Sequence, residues 1–168
     1  MEELENHQYW MSQALIVAEE AGNRGDIPVG AIVVDNYNNL IAKASNQKEL
    51  QKSAIAHAEI LAINQANQKL GKWRLDNCTL YVTLEPCPMC IGAIIQARIK
   101  TLVYGVDDFK TGAVRTILNI PDSEVSNHRL QVFAGIQAVA CGDLLKSWFN
   151  QLRQGKRQGA MEKLRIKN

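Results

Sequence analysis

The sequence has no long apolar run and no sign of a secretory start. Its 168 residues contain no stretch of about eighteen or more apolar residues, so we expect no transmembrane helix. The first five residues, Met1 to Glu5, are acidic and lack the basic start and apolar core of a signal peptide. No internal repeat, low-complexity segment or linker divides the chain. We therefore expect one globular domain that is cytoplasmic and has no membrane partner.

The sequence also has few cysteines and a small net charge. The four cysteines are expected to be reduced, because nothing in the sequence indicates export to an oxidising compartment. A net charge of +2 is too small to indicate a nucleic-acid partner by itself. The basic residues nevertheless gather at the C-terminus, opposed there by a single acid, Glu162: Arg153, Lys156, Arg157, Lys163, Arg165 and Lys167. A basic end is usually only solvated, but it is also typical of a phosphate-binding extension, so we divide the chain into a domain of residues 1–155 and a tail of residues 156–168.

Apolar patterning predicts an α/β fold. Helical spacing covers residues 4–21, 54–69, 88–97 and 136–154. Strands are predicted at 28–34, 40–44, 79–84, 99–106 and 130–133. The first two strands should pair antiparallel across the turn at 36–39. The strand–helix–strand order over 79–106 implies a right-handed parallel crossover.

Two short motifs carry ligands that zinc accepts. They are His57-Ala58-Glu59 and Pro86-Cys87-Pro88-Met89-Cys90. One imidazole and two thiolates leave one tetrahedral position open, which distinguishes a catalytic zinc from a closed structural one. The cysteines follow a proline where a helix should begin, and helix N-termini favour thiolates. Their i, i+3 spacing places both on one side of the first turn, so we predict one zinc per chain.

Glu59 is the candidate proton carrier. Zinc lowers the pKa of bound water from 15.7 to about 7. A carboxylate that does not bind the metal can take the water proton and pass it on. The alternatives are a thioredoxin-like redox pair and a non-catalytic zinc-stabilised domain. The first normally stands without a His-x-Glu motif, and the second needs a fourth ligand but no spare carboxylate. Neither Cys78 nor Cys141 forms a second paired motif.

The H-x-E and P-C-x-x-C motifs are the signature of zinc-dependent nucleobase deaminases. Over roughly residues 5–155 the sequence resembles the bacterial tRNA-specific adenosine deaminases, within the cytidine/deoxycytidylate deaminase superfamily. Further segments carry this narrower resemblance: Pro28-Val29-Gly30-Ala31, Asn46, residues 79–87, Asp108, Lys110-Thr111-Gly112-Ala113 and Asn127-His128-Arg129.

The resemblance implies a cytidine deaminase-like fold, a three-layer α/β/α sandwich around a five-stranded mixed sheet. It also implies a homodimer in which each active site borrows surface from its partner. The implied reaction is the hydrolytic deamination of adenosine to inosine at wobble position 34 of an arginine tRNA, bound through its anticodon stem-loop. In that reaction zinc-bound hydroxide attacks C6 of the flipped adenine, Glu59 shuttles the proton and ammonia leaves.

Roles for individual residues also follow from the resemblance. It implies His57, Cys87 and Cys90 as zinc ligands and Asn46 as a contact of the flipped adenosine. The pocket walls are expected to be Val29, Leu84, Glu85 and Pro86. Contacts to the anticodon loop are expected from Asp108, Lys110, His128 and Phe149.

The end of the last predicted helix is the candidate contact surface for the RNA backbone. Trp148 and Phe149 are available there for contact, and Arg153, Lys156 and Arg157 follow at spacings of three and four, so one helical face can be positive. A deaminase of free bases, nucleosides or nucleotides, such as guanine, cytidine or deoxycytidylate, stays open as the rival interpretation, because it would share the zinc ligands.

Overall fold

The computed structural model describes the backbone of residues 2–165 and the side chains of residues 2–156. Five strands form one sheet in the order β2-β1-β3-β4-β5. Their bounds are β1 Gly30–Asp35, β2 Leu40–Ser45, β3 Cys78–Leu84, β4 Thr101–Val106 and β5 Gln131–Ala134. β1 runs antiparallel to both β2 and β3, whereas β3, β4 and β5 are parallel. The predicted five-stranded mixed sheet is confirmed.

Within residues 2–165, five helices accompany the sheet. Their bounds are α1 Glu2–Asn23, α2 Lys48–Gln51, α3 Ala58–Leu70, α4 Pro88–Gln96 and α5 Ala138–Arg165. α1 and α5 pack on one face of the sheet, and α3 and α4 cover the other face. The three-layer α/β/α architecture is therefore also confirmed. Within residues 2–165, none of the helices combines the length and the apolarity that crossing a bilayer requires.

Side-chain alternation along the central strands supplies both halves of the core. In β1, Ala31 and Val33 pack with α3 and α4, whereas Ile32 and Val34 pack with α1. Successive side chains of a strand point to opposite faces, so a strand covered on both faces must be apolar at every position. This explains the continuous apolar run that predicts β1. Gly30 is required at its start, because a Cβ there would collide with the backbone oxygen of Ala14 in α1.

Strand direction brings distant chain segments to one end of the sheet, where β3 and β4 finish. Ala31 lies opposite Val82 in the antiparallel β1–β3 pair, so β1 begins where β3 ends. Gly30 lies opposite Ser45, which places the end of β2 at the same end of the sheet. Leu84 and Val106 are partners in the parallel β3–β4 pair. The segments that carry the candidate functional residues therefore meet here.

Two helix boundaries differ from the prediction. α3 begins at Ala58 instead of residue 54, and residues 48–51 form the separate helix α2. The buried carboxylate of Asp26 accepts the N–H groups of Glu49 and Leu50 at 2.9 and 3.3 Å, a long-range contact that starts α2. Lys52 then ends α2 in the left-handed region, with φ of 52°. The last helix continues to Arg165 instead of ending near residue 154, so the predicted division at 155 falls inside α5.

Candidate metal centre and substrate cleft

The two candidate ligand motifs lie at the starts of two neighbouring helices. His57 is the residue before α3 and Cys87 the residue before α4, each with extended backbone, at ψ of 150° and 172°. Pro88 opens α4, a position that needs no N–H donor and suits the fixed φ of proline. Cys90 follows in the first turn and is buried. The predicted helix start at Cys87 is therefore confirmed, and His57 also directly precedes a helix.

The three side chains converge on one point. Nδ1 of His57 lies 3.8 Å from Sγ of Cys87 and 3.4 Å from Sγ of Cys90. All three donor atoms lie within 4.8 Å of one another. Zinc bonds of about 2.3 Å to sulfur and about 2.0 Å to nitrogen place tetrahedral donors about 3.5–3.8 Å apart. Among the described side chains this group has three members, so its donor set fits a zinc ion with one position left for water or substrate.

The two thiols and the imidazole shift one another's pKa values. The pKa of Cys87 is lowered to about 4, chiefly by the hydrogen bond with Cys90 and, against the effect of burial, by that with His57. The pKa of Cys90 is raised by the same bond and by burial. The hydrogen bond to Cys87 raises the pKa of His57. One thiolate is thus already present at neutral pH, and metal binding would release the remaining protons.

Glu59 lies in the first turn of α3 and outside the donor group. Its side chain is buried, and burial raises its pKa to about 7 despite the opposing charge of His57. A carboxyl group that titrates near neutrality can both take up and give back a proton at physiological pH. Glu59 therefore has the properties expected of a general acid/base.

Asn46 lies against the start of α3. Its Oδ1 accepts the N–H of Ala58 at 2.9 Å, and its own backbone N–H donates to the carbonyl of Val29 at 3.0 Å. The amide is therefore fixed in orientation beside the metal-ligand motif. Because the amide oxygen is occupied by the protein, Nδ2 is the side-chain group of Asn46 that can donate to a ligand.

The side chain of Glu85 is held inside the protein by hydrogen bonds. Its side chain is buried, and its carboxylate points into residues 107–116, which follow β4. Oε1 accepts the N–H groups of Val114, Arg115 and Thr116 at 3.1, 2.9 and 3.1 Å. Oε2 accepts the N–H of Asp108 at 3.0 Å and the hydroxyl of Thr116. The carboxylate is occupied by protein donors, so the side chain of Glu85 is an internal anchor.

The hydrogen bonds also control the charge of Glu85. Burial acts to raise the pKa of this carboxyl group, but the Thr116 hydroxyl and the backbone N–H groups outweigh it, and the net pKa is lowered. Glu85 is therefore an anion at neutral pH.

A cleft of about 670 Å³ joins several of the predicted contact residues. Leu84, Asp108, Lys110 and Phe149 all line it, between residues 107–111 and α5. Two exposed apolar side chains, Phe109 and Val139, also face it. A second cavity of about 470 Å³ shares Phe149 and continues along α5 and α2 to Leu152, Lys156 and Lys48. Sequence reasoning missed Phe109 and Val139, although a lone aromatic in the polar loop after β4 was a usable signal.

Other predicted contacts do not line this cleft. Val29 and Pro86 are buried and contribute backbone carbonyls, that of Pro86 to the N–H of Ala113 at 3.0 Å. Nε2 of His128 lies 2.7 Å from the carbonyl of Ile99, just before β4, at the opposite end of the sheet. A six-residue strand spans about 20 Å, so within one chain His128 does not reach the cleft.

The predicted contacts on α5 have mixed outcomes. Trp148 donates to the carbonyl of Gly22 at 3.1 Å and so joins α5 to α1, and it also lines the cavity of about 470 Å³. Arg153 and Lys156 are exposed, whereas the side chain of Arg157 lies outside the described residues.

The sequence and the fold are similar to those of known deaminases. The model of the MafB19-like deaminase family matches residues 5–153, which defines the class of the protein. A tRNA-specific adenosine deaminase of Bacillus subtilis is 41% identical over 150 residues, which cover 89% of this chain and 92% of the relative. One from Haemophilus influenzae is 43% identical over 147 residues, covering 88% and 85%. The protein belongs to the family of tRNA-specific adenosine deaminases.

Solved structures agree with this assignment. One from a study of A-to-I editing by tRNA:A34 deaminases has a TM-score of 0.79 and 38% identity, over 82% of this chain and 99% of the other. A guanine deaminase from Nitrosomonas europaea has a TM-score of 0.69 and 26% identity, over 82% and 81%.

Proposed function

We propose that the protein catalyses the zinc-dependent hydrolytic deamination of adenosine to inosine at wobble position 34 of tRNA, with an arginine tRNA as substrate. The observation that carries the proposal is the three-donor group of His57, Cys87 and Cys90 beside the buried carboxyl of Glu59. The tRNA substrate is supported by the names of the relatives. Such an enzyme acts in the cytoplasm.

The chain's own residues divide the work as follows. His57, Cys87 and Cys90 hold the zinc, which when bound lowers the pKa of a water ligand to about 7 and so provides the nucleophile. Glu59 would take one proton from the water and pass it to N1 of the purine, where it stays. It would then move the proton of the hydroxyl added at C6 to the departing amino group, so that ammonia leaves. Asn46 orients the base by donating from Nδ2 to an acceptor atom of the adenine or its ribose.

The cleft suits a polynucleotide better than a free base. A base stacked in a loop cannot reach the metal unless it is turned out of the stack, and its neighbours must then be held as well. Phe109 and Phe149 provide surfaces on which unstacked bases can lie. Lys110 in the cleft and Lys156 in the adjoining cavity provide positive charge for phosphates.

We also propose a homodimer. Its support is the partly exposed, apolar outer side of α3 and α4 next to the metal-ligand motifs, which includes Ile60, Leu61, Met89 and Ala93. Light scattering should give twice the chain mass of 18.7 kDa. A monomer that deaminates the stem-loop at full rate would contradict a shared active site.

The test of the function is the product formed from defined substrates. Zinc-loaded protein should form inosine in an anticodon stem-loop of arginine tRNA that carries adenosine at position 34. It should leave free adenosine, cytidine and guanine essentially unchanged. A stem-loop of another sequence with adenosine at the same position tests the arginine specificity.

Guanine deamination is the second candidate. It is favoured by the likeness to the guanine deaminases of Nitrosomonas europaea and of Bacillus subtilis, the latter with a TM-score of 0.57 and 30% identity. Release of ammonia from guanine by a protein that leaves the stem-loop unchanged would replace the tRNA proposal with this one.

A further inference from the structure

The carboxylate of Glu85 is surrounded by donors from a single segment. All five come from residues 108–116, and none comes from the metal-ligand motifs. Three successive N–H groups, those of Val114, Arg115 and Thr116, point at one oxygen, an arrangement that proteins use to bind anions. Here the bound anion is a side chain of the protein itself. A buried N–H that loses its acceptor is strongly disfavoured, so the path of this segment depends on the carboxylate.

The segment wraps tightly around Glu85. A Cβ on Gly112 would collide with Oε2 of Glu85 and would lie 2.5 Å from the carbonyl oxygen of Asp108. The segment can take this path only because residue 112 has no side chain. Gly112 and Glu85 are therefore complementary parts of one anchor.

The same segment forms one wall of the cleft and is tied to the metal-ligand strand. Its first half contributes Asp108, Phe109 and Lys110 to the cleft. The N–H of Ala113 donates to the carbonyl of Pro86, directly before Cys87, at 3.0 Å. Glu85 thus fixes the wall of the cleft relative to the metal centre without facing the cleft itself.

We propose that Glu85 is a positioning residue that fixes residues 107–116 and thereby sets the affinity for the polynucleotide substrate, while the metal centre carries the chemistry. The proposal rests on the tRNA function proposed above. It assigns substrate affinity to a side chain that the substrate does not touch.

The test compares Glu85→Gln and Glu85→Ala with wild type on the anticodon stem-loop. The glutamine keeps one acceptor oxygen but turns an NH2 group toward the remaining donors, so it should rescue part of the effect. We expect KM to rise about tenfold or more in Glu85→Ala and less in Glu85→Gln. Bound zinc should stay at one per chain, and kcat at saturation should change by no more than about threefold.

Two further variants keep the test independent of folding defects at position 85. Thr116→Val removes only the hydroxyl bond to Oε2 and should raise KM modestly. Gly112→Ala adds a Cβ that collides with the Glu85 carboxylate, so it should displace the segment and reproduce the rise in KM. Glu124→Gln changes an exposed carboxylate a few residues beyond the segment and is the matched control, with unchanged KM.

Hydrogen exchange gives a readout that does not depend on activity. The N–H groups of Val114, Arg115 and Thr116 should be protected in wild type and exchange faster in Glu85→Gln. Faster exchange with an unchanged KM would overturn the inference and leave the proposed function intact. Loss of zinc together with kcat would overturn it as well, because Glu85 would then act on the metal centre. A wild type that deaminates guanine and not the stem-loop would overturn the proposed function, and this inference with it.

Discussion

The four cysteines show how strongly the surroundings of a residue decide its chemistry. Cys87 and Cys90 share hydrogen bonds with His57, whereas Cys78 and Cys141 lie alone in the two halves of the core. Burial raises the pKa of Cys78, and it raises that of Cys141 to about 12. Of the four, Cys87 alone has a lowered pKa, and Cys90 beside it would lose its proton on binding a metal.

Removing one ligand should therefore remove the metal. We expect Cys87→Ala to lose both zinc and turnover, because two protein ligands make a poor site. Cys78→Ala and Cys141→Ala should keep about one zinc per chain, as measured by metal analysis of the purified protein. A Cys87→Ala protein with full zinc content would show that the ligand assignment is incorrect.

Glu59 should separate metal binding from chemistry. Glu59→Ala removes the proton carrier but none of the three donors, so zinc content and fold should be retained. Turnover of the stem-loop should fall by about 10²–10⁴-fold, the usual effect of losing a positioned general acid/base. Glu19→Ala, at an exposed position of α1, is the control. Full turnover in a folded Glu59→Ala protein would assign the proton transfer to another residue.

His7 should make stability depend on pH. Its Nδ1 bonds the hydroxyl of Tyr81 at 2.9 Å, and its buried Nε2 lies 4.0 Å from the carboxylate of Glu3. Burial lowers the pKa of His7 below 6.5, although Glu3 acts in the opposite direction. The unfolded chain then binds the proton more tightly, so the free energy of unfolding falls as the pH falls through about 6.5.

Urea unfolding at about pH 7.5 and pH 5 tests this dependence. His7→Gln should lose less stability over that interval than wild type does. Glu3→Gln should lose slightly more, because the pKa of His7 would be lower still. Equal losses in all three proteins would exclude His7 as a source of the pH dependence.

At the scale of the residue, local spacing predicted that Cys87 and Cys90 lie together but not which groups Glu85 and His128 contact. The spacing of Cys87 and Cys90 within one helical turn is readable in the sequence. The donors to Glu85 lie 23 to 31 positions further along the chain, and the acceptor near His128 lies 29 positions before it. Contacts between polar groups so far apart in the chain depend on how the strands pair in the sheet. No short motif describes that pairing.

At the scale of the element, patterning predicted the strands better than the helix ends. The central strands β1, β3 and β4 are buried on both faces, which leaves a continuous apolar signal, and all five strands were predicted. The separate helix α2 depends on the carboxylate of Asp26, which is remote in sequence. The backbone of α5 continues to Arg165, beyond residue 154, where the predicted helical spacing ends.

The exposed basic residues of α5 should contribute salt-sensitive affinity for RNA. Each phosphate contact on single-stranded RNA contributes roughly 0.7 log units of affinity per log unit of salt. Replacing Arg153, Lys156 and Arg157 by glutamine should flatten that slope and raise KM, with kcat at saturation little changed. Binding of the stem-loop measured against salt gives both numbers.

The control variant for this experiment removes positive charges at the other end of the sheet. Lys72 and Lys100 are exposed there, and their replacement by glutamine should leave the slope unchanged. Identical slopes in wild type and in the α5 variant would show that the end of α5 is only a solvated surface.

At the scale of the whole molecule, the direction of each strand has a consequence for how the protein acquires its metal. The donors come from the starts of α3 and α4, and their approach requires the antiparallel β1–β3 and parallel β3–β4 pairs to have formed. Pairings between distant segments form late, since loop-closure entropy opposes them. A partly folded chain thus offers the thiols of Cys87 and Cys90 together but holds His57 elsewhere.

Zinc should consequently slow the unfolding of the folded protein and should not nucleate folding. We expect the refolding rate from urea to be nearly the same with and without zinc, and the unfolding rate to fall when zinc is bound, as for any interaction absent from the transition state. Stopped-flow refolding and unfolding of zinc-loaded and chelated protein measure both rates. If zinc instead accelerated refolding, the metal site would form before the sheet, and the cell would have to supply the ion during synthesis. With the expected result, the chain can fold first and collect its zinc afterwards.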